Sequence, residues 1–363
     1  MRQPGGETDK RRKAEVPLKI LIVKRDKIGD LLLTTPMLSH LRASLPRAEI
    51  HLPANDYNAW VVADHPAIDR RWIYRRSRVG RRVRPLAAVQ GAIQALQLRA
   101  QGFDWVIVAN GSESHRAIRR GVMTGARRVV AYAADPAKYP RLTDPLAART
   151  GRHESDLLLD MLAPLGVIAP STMLYPQFRL SAAAQDFALG WLAGQGLRPG
   201  GYVVLGLGAR RAKKQPDTAQ VLRWSAHLRQ AFGLDTVFMW TPGRSDNPLY
   251  PGDDDVAEPV LAAGAPQLHP FRGGIEPALG LIWNARASIF PDSGLMHFAA
   301  ASPGGVVGLF ADTSVSPHPD QWGPRGPRAR WLEADISVSE LSDAQLFDQL
   351  APLLQQSPEL PGD

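Results

Sequence analysis

Asp30 stands in Lys27-Ile28-Gly29-Asp30-Leu31-Leu32-Leu33-Thr34-Thr35-Pro36, directly after the apolar run Leu18 to Val23. Open α/β sheets present their ligands at the carboxyl ends of strands, and Gly29 lets other backbone come close. Two chemistries suit a carboxylate there: capping the helix that follows, or taking a proton from an attacking hydroxyl. The pattern returns in Phe290-Pro291-Asp292-Ser293-Gly294-Leu295-Met296-His297-Phe298-Ala299-Ala300-Ala301. Asp292 or Ser293 can cap that helix, while the amides of Ser293, Gly294 and Leu295 suit an anion such as phosphate. His297 fits either a packing histidine or an acid/base group.

Between them lies Gly206-Leu207-Gly208-Ala209-Arg210-Arg211-Ala212-Lys213-Lys214-Gln215-Pro216, with four cations in a glycine-bearing loop. Such a loop neutralises a pyrophosphate, or is simply a solvated basic loop. Trp240-Thr241-Pro242-Gly243-Arg244-Ser245-Asp246-Asn247-Pro248 is rich in turn formers and suited to a nucleoside. Asp253, Asp254 and Asp255 are adjacent and do not converge on one point, so they read as a solvated turn or helix start rather than a metal site. Arg70, Arg71, Arg75, Arg76, Arg78, Arg81, Arg82 and Arg84 place eight guanidiniums in fifteen positions; Arg116, Arg119, Arg120, Arg127 and Arg128 follow. Guanidinium forks match phosphates and carboxylates, and the competing reading is a solvated surface.

The elements that must hold these loops alternate. Strands are expected at 18–23, 50–53, 68–74, 103–108 and 127–132, with helices at 31–45 and 91–101 between them. The order restarts with helices at 153–165 and 182–194. Strands then fall at 202–206, 236–240, 287–290 and 306–310, with helices at 218–232, 278–285, 294–301 and 339–354. This predicts an α/β protein with two Rossmann-like domains facing a central cleft, the chain crossing near 170–180. We expect a flexible basic extension over 1–17, an N-terminal domain over 18–178, and a C-terminal domain over 179–363 closed by the helix at 339–354.

Length and composition narrow the function. The chain has 363 residues, 44% hydrophobic and 21% charged, so wholesale disorder is excluded. Cysteine is absent, which removes disulfides, thiolate catalysis and cysteine-based metal sites. No apolar run reaches the roughly 20 residues of a membrane span or forms a signal peptide, so a cytoplasmic protein is expected. The 43 Lys and Arg exceed the 35 Asp and Glu, giving a net charge of +8 and calling for an acidic partner. Nucleic acid is the weakest choice, because only Trp72 and Tyr74 lie within the arginine run.

The order of the motifs resembles glycosyltransferase family 9, the lipopolysaccharide heptosyltransferases. The Ile28-Gly29-Asp30 segment resembles the family's opening motif. The Asp292–Ala301 block, with Leu309-Phe310-Ala311-Asp312-Thr313 and Trp322-Gly323-Pro324 behind it, resembles its C-terminal signature. Lys214-Gln215-Pro216 is similar to a Lys-Trp-Pro element, with Gln215 in place of the usual Trp. The resemblance spans about residues 18–355 and implies a GT-B fold and inverting, metal-independent transfer of heptose from ADP-heptose to the Kdo or heptose of the lipopolysaccharide inner core.

It further implies that Asp30 is the general base and that Lys214, with Arg210 or Lys213, neutralises the diphosphate. Gly208, Thr241, Pro242, Gly243, Asp292, Ser293, Gly294, Leu295 and His297 would complete the donor site. Gly29, Thr34, Arg75, Arg116 and Arg120 would meet the acceptor. No cofactor is implied beyond the nucleotide sugar, and contact with the inner membrane would be peripheral. The alternatives are a family member with another nucleotide sugar or surface-glycan acceptor, and, more remotely, a nucleic-acid-binding protein.

Overall fold

The computed structural model describes residues 17–24, 27–75, 78–79, 82–208, 211–247, 251–314 and 318–356. Residues 1–16 of the extension expected over 1–17, Arg210, and Arg76 and Arg81 of the arginine run lie outside the described residues.

The first half builds a six-stranded parallel sheet in the order β3-β2-β1-β6-β7-β8. Its strands are β1 (Lys19–Val23), β2 (Glu49–Asn55), β3 (Arg70–Tyr74), β6 (Trp105–Val108), β7 (Arg128–Tyr132) and β8 (Asp144–Leu146). A two-strand hairpin, β4 (Arg78–Val79) and β5 (Arg82–Val83), interrupts the path after β3. The helices are α1 (Ile28–Leu32), α2 (Thr35–Ser44), α3 (Pro85–Ala100), α4 (His115–Met123) and α5 (Glu154–Asp160).

The second sheet repeats the arrangement in the order β11-β10-β9-β12-β13-β14. Its strands are β9 (Tyr202–Gly206), β10 (Asp235–Met239), β11 (Leu268–Phe271), β12 (Ala287–Pro291), β13 (Val306–Ala311) and β14 (Ala329–Ala334). The helices are α6 (Ala182–Gly194), α7 (Thr218–Phe232), α8 (Asp254–Ala262), α9 (Ile275–Trp283), α10 (Gly294–Ala300), α11 (Pro319–Trp322) and α12 (Asp343–Gln355). Helices cover both faces of a parallel sheet, so the central strands are buried throughout and read as unbroken apolar runs. The two sheets with their helices form a GT-B-like fold.

The single helix expected over 31–45 is two helices. Pro36 has no amide hydrogen and its ring would strike the carbonyl of Leu32, so α1 stops and α2 restarts one turn later. The Leu32 carbonyl receives the Thr35 hydroxyl instead, at 2.8 Å. The helix expected over 153–165 is likewise short, ending at Asp160 before a separate 3-10 turn at Ala163–Leu165.

One apolar core runs through both halves, joining Ile20, Ile22 and Leu31 to Phe290, Met296 and Phe298. The irregular chain at 167–181 contributes Phe178, whose ring meets Trp283 at 5.1 Å and Phe298 at 5.0 Å. Two cavities open along this seam. One of about 510 Å³ is lined by His153, Asp156, Tyr175 and Arg325, and another of about 350 Å³ by Trp60, His65, Phe178 and Trp283.

Candidate active site

Each sheet reverses its strand order once, between β1 and β6 in the first and between β9 and β12 in the second. Ligands of such sheets bind outside the strand ends at the reversal, because the adjoining connections leave there in opposite directions. Asp30 follows β1, while Lys214 follows β9 and Asp292 follows β12. Both switch points are therefore occupied by residues singled out from the sequence.

Asp30 is the third residue of α1 and its carboxylate accepts the Lys27 amide at 3.1 Å, closing the helix's first turn. The capping reading is thus seen, and the side chain stays half-exposed. What brings it to the other half is Gly29. A Cβ there would lie 2.9 Å from His297 Cδ2 and 3.2 Å from Gly294 Cα. A Cβ on Gly294 would in turn lie 3.0 Å from Ile28. Only paired glycines let the start of α1 abut the start of α10 this closely.

On the opposite bank, Lys214 is buried and its Nζ donates to Asp292 Oδ2 at 2.7 Å, spanning the β9/β12 switch point. Lys213 pairs with Asp312, the residue after β13. Asp312 holds a left-handed φ of 54°, and the Lys213 ammonium keeps its carboxyl below the usual range. The basic loop is therefore no free cloud of charge: both lysines are held by carboxylates at strand ends.

Ser293 Oγ and His297 Nδ1 are buried and, in the described structure, make no hydrogen bond. Burial pushes the His297 pKa down to about 4, the nearby Asp292 opposing it, so the ring is neutral at pH 7. A neutral ring whose Nδ1 lacks a partner departs from the satisfied packing histidine, because buried polar atoms normally have partners.

The loop after β10 is braced from behind. Asp253 Oδ2 accepts the Thr241 amide at 2.8 Å while its Oδ1 accepts Gln215 Nε2 at 2.5 Å. Asp254 accepts the Trp240 indole at 3.0 Å and the Gly243 amide at 2.8 Å, and Asp255 accepts from Ser245. The expectation of a helix start holds, since α8 begins at Asp254, and Asp255 stays exposed, but Asp253 is not solvated: it is buried and its pKa is raised by that burial. Thr241 and Pro242 stay exposed on the loop so held, and Gly208 faces open space. Among the described residues, no group of three or more His, Asp or Glu side chains could hold a metal ion.

The model for "glycosyltransferase family 9 (heptosyltransferase)" matches residues 94–345, well over half of the chain. The chain belongs to that family. This family 9 glycosyltransferase superimposes on solved structures of low identity. A glycosyl transferase family 9 protein from Veillonella parvula gives a TM-score of 0.77 at 20% identity, covering 94% of this chain and 98% of that one. The Escherichia coli ADP-heptose lps heptosyltransferase II gives 0.71 at 18%, covering 93% and 99%. The E. coli heptosyltransferase WaaC with ADP gives 0.71 at 18%, covering 93% and 100%. No curated protein matches in sequence.

Within the family 9 enzyme, the expected acceptor residues do not all converge. Thr34 is fully buried and donates to the Asp30 carbonyl at 2.9 Å, so it supports α1 from within rather than meeting a ligand. Gly29 is closed against α10 as described. Arg75, beyond β3, and Arg116, in the first turn of α4, are exposed toward the first sheet's carboxyl edge, whereas Arg120, also exposed, lies in the last turn of α4.

Sequence reasoning expected a helix beginning at 153 but did not single out the polar residues at its start, His153-Glu154-Ser155-Asp156. Glu154 meets the buried Lys24 at 3.3 Å, the Gly111 amide at 3.0 Å and Gln321 Nε2 at 3.1 Å. His153 Nε2 donates to the Gly323 carbonyl at 3.0 Å, Ser155 Oγ to the Leu33 carbonyl at 3.0 Å, and Arg325 forks onto Asp156 at 2.5 and 2.9 Å. Four successive polar residues thus tie the first switch point to the segment 321–325. The available signal was the unbroken polar run at a helix start otherwise set among buried leucines.

Proposed function

We propose that this enzyme transfers heptose, with inversion and without a metal, from ADP-heptose to the Kdo or heptose of the lipopolysaccharide inner core. The division of labour follows the expected domains: 18–178 takes the acceptor and 179–363 the nucleotide sugar. The observation that supports the reading is the meeting of α1 and α10: Gly29, the neighbour of Asp30, abuts Gly294, two residues from the Asp292 that pairs with Lys214. Asp30 removes the proton of the acceptor hydroxyl as that oxygen attacks the anomeric carbon from the face opposite the diphosphate. Lys214 meets the charge that develops on the departing ADP, and Asp292 fixes the position of Lys214 and turns its second oxygen to the sugar hydroxyls. Ser293 Oγ and His297 Nδ1, buried without partners, are suited to receive bonds from the bound donor. The braced loop at 240–245 takes the nucleoside. The enzyme would work at the cytoplasmic face of the inner membrane, touching it peripherally.

The test is Asp30→Asn. Transfer falls by at least about a thousandfold, the scale of losing a general base, while calorimetric ADP-heptose affinity stays within about twofold. Turnover like the wild type would remove Asp30 from the reaction. A parallel titration with ADP-, UDP- and GDP-sugars checks the donor, and preference for UDP or GDP would overturn it.

A further inference from the structure

Helix α3 is exposed in an unusual way. Its inward line consists of buried Ala87 with half-buried Gly91, Gln94 and Leu98, and Gln94 Nε2 ties it to the Ile73 carbonyl at 3.3 Å. Its outward line is Leu86, Val89, Ile93 and Leu96, which are 68, 56, 50 and 68% exposed. Those spacings place all four on one side of the helix. A helix in contact with water normally carries charges on that side, but α3 holds no acidic residue and only Arg99 among its sixteen.

The surrounding sequence has one sign. From Arg70 to Phe103 there are nine arginines and not one Asp, Glu or Lys, so the rest of this +8 chain sums to −1. Arg70, Arg71, Arg75 and Arg84 are exposed where β3 leads through the hairpin into α3. The two aromatics of the run are not free to stack bases: Trp72 is buried, its indole bonded to His51 Nδ1 at 3.2 Å, and Tyr74 is half-buried. No helix among the described residues is long and apolar enough to cross a membrane, so α3 would lie along a bilayer surface.

We propose that α3 is the membrane-docking element, its Leu86-Val89-Ile93-Leu96 stripe entering the interface of an anionic bilayer while the adjoining arginines meet the phosphates. An apolar stripe beside uniform positive charge matches such a surface in both respects. Two copies of this chain packed stripe to stripe would instead bring two arginine runs together. The docked helix starts at the carboxyl edge of the first sheet, the edge that also carries Asp30. This deepens the function proposed above and rests on it in taking the acceptor to be lipid-borne.

The test is co-sedimentation of the full chain with phosphatidylglycerol/phosphatidylcholine vesicles and with phosphatidylcholine alone. The wild type binds the anionic vesicles at least about tenfold better and is released by salt. L86Q/V89Q/I93Q/L96Q, which keeps good helix formers on an exposed face, loses about tenfold in binding while transfer to a deacylated, soluble acceptor is unchanged. R71Q/R84Q lowers binding and flattens its salt dependence. Equal binding to both vesicles, or wild-type binding by the four-glutamine variant, overturns the proposal. So does a wild-type dimer that this variant dissolves. Failure of heptose transfer with intact, stripe-dependent vesicle binding would strike the proposed reaction and leave the docking surface standing.

Discussion

At the scale of single residues, the two neighbouring lysines are distinguished by burial. Lys214 is 6% exposed in its side chain and held against Asp292, whereas Lys213 is 39% exposed against Asp312. A charge fixed in a site shielded from water stabilises a developing anion far more than one in solvent. Lys214→Ala is expected to weaken ADP-heptose binding and slow transfer, together by about 3 kcal/mol in kcat/KM. Lys213→Ala should cost less than about 1 kcal/mol, as half-exposed ion pairs do. Steady-state kinetics with both variants decides this; equal losses would mean that burial does not set the roles. The residue pattern put both lysines in one phosphate loop and only the family resemblance put Lys214 first; the physical ground for a ranking comes from Asp292 and Asp312, 78 and 99 positions away.

At the scale of elements, the legible parts were those written in continuous apolar runs. The central strands of both sheets and the helices at 182–194 and 218–232 sit where periodicity put them. The missed strands lie toward the sheet edges: β11 contains His269 and Pro270, β14 contains Arg330 and Glu333, and β8 spans only Asp144–Leu146. Edge strands bury less, so their sequences do not announce them. The start of α5 was expected at 153, but the role of its polar residues was hidden for a related reason, since their partners are distant in sequence. Glu154 is 2% exposed in its side chain and meets Lys24, 1% exposed, from 130 residues away. Taking one member from a buried pair leaves the other poorly solvated and costs about 3–5 kcal/mol. Glu154→Ala should therefore lower stability by about 3 kcal/mol, read as a shift of the denaturant midpoint. A shift below about 0.5 kcal/mol would show that the brace carries no weight.

At the scale of the whole molecule, the halves are joined by charged ties such as Arg325–Asp156 and also by a ring that must stay neutral. Burial lowers the pKa of both His153 and His297 to about 4, the Arg325 charge adding to the effect at His153. His153 bridges the halves as the neutral ring: Nδ1 accepts the Ser155 amide at 3.1 Å while Nε2 donates to Gly323. A proton on Nδ1 would confront that amide with a second donor. An unfolded histidine takes its proton near 6.5, so between about pH 6.5 and 4 the unfolded chain holds more protons. Stability contributed by these rings is complete above pH 6.5 and is lost as pH falls through the window, by up to roughly 3 kcal/mol for each. The depressed carboxyls of Asp156 and Asp312 act in the same direction, but only below their usual value of 3.8. A fall in stability between pH 7 and 5 therefore belongs to histidine. Denaturant midpoints at pH 7 and 5 should fall for the wild type and fall less for His153→Asn, whatever its stability at pH 7. An undiminished drop in that variant would assign the acid sensitivity elsewhere and remove His153 as a pH-dependent tie between the halves.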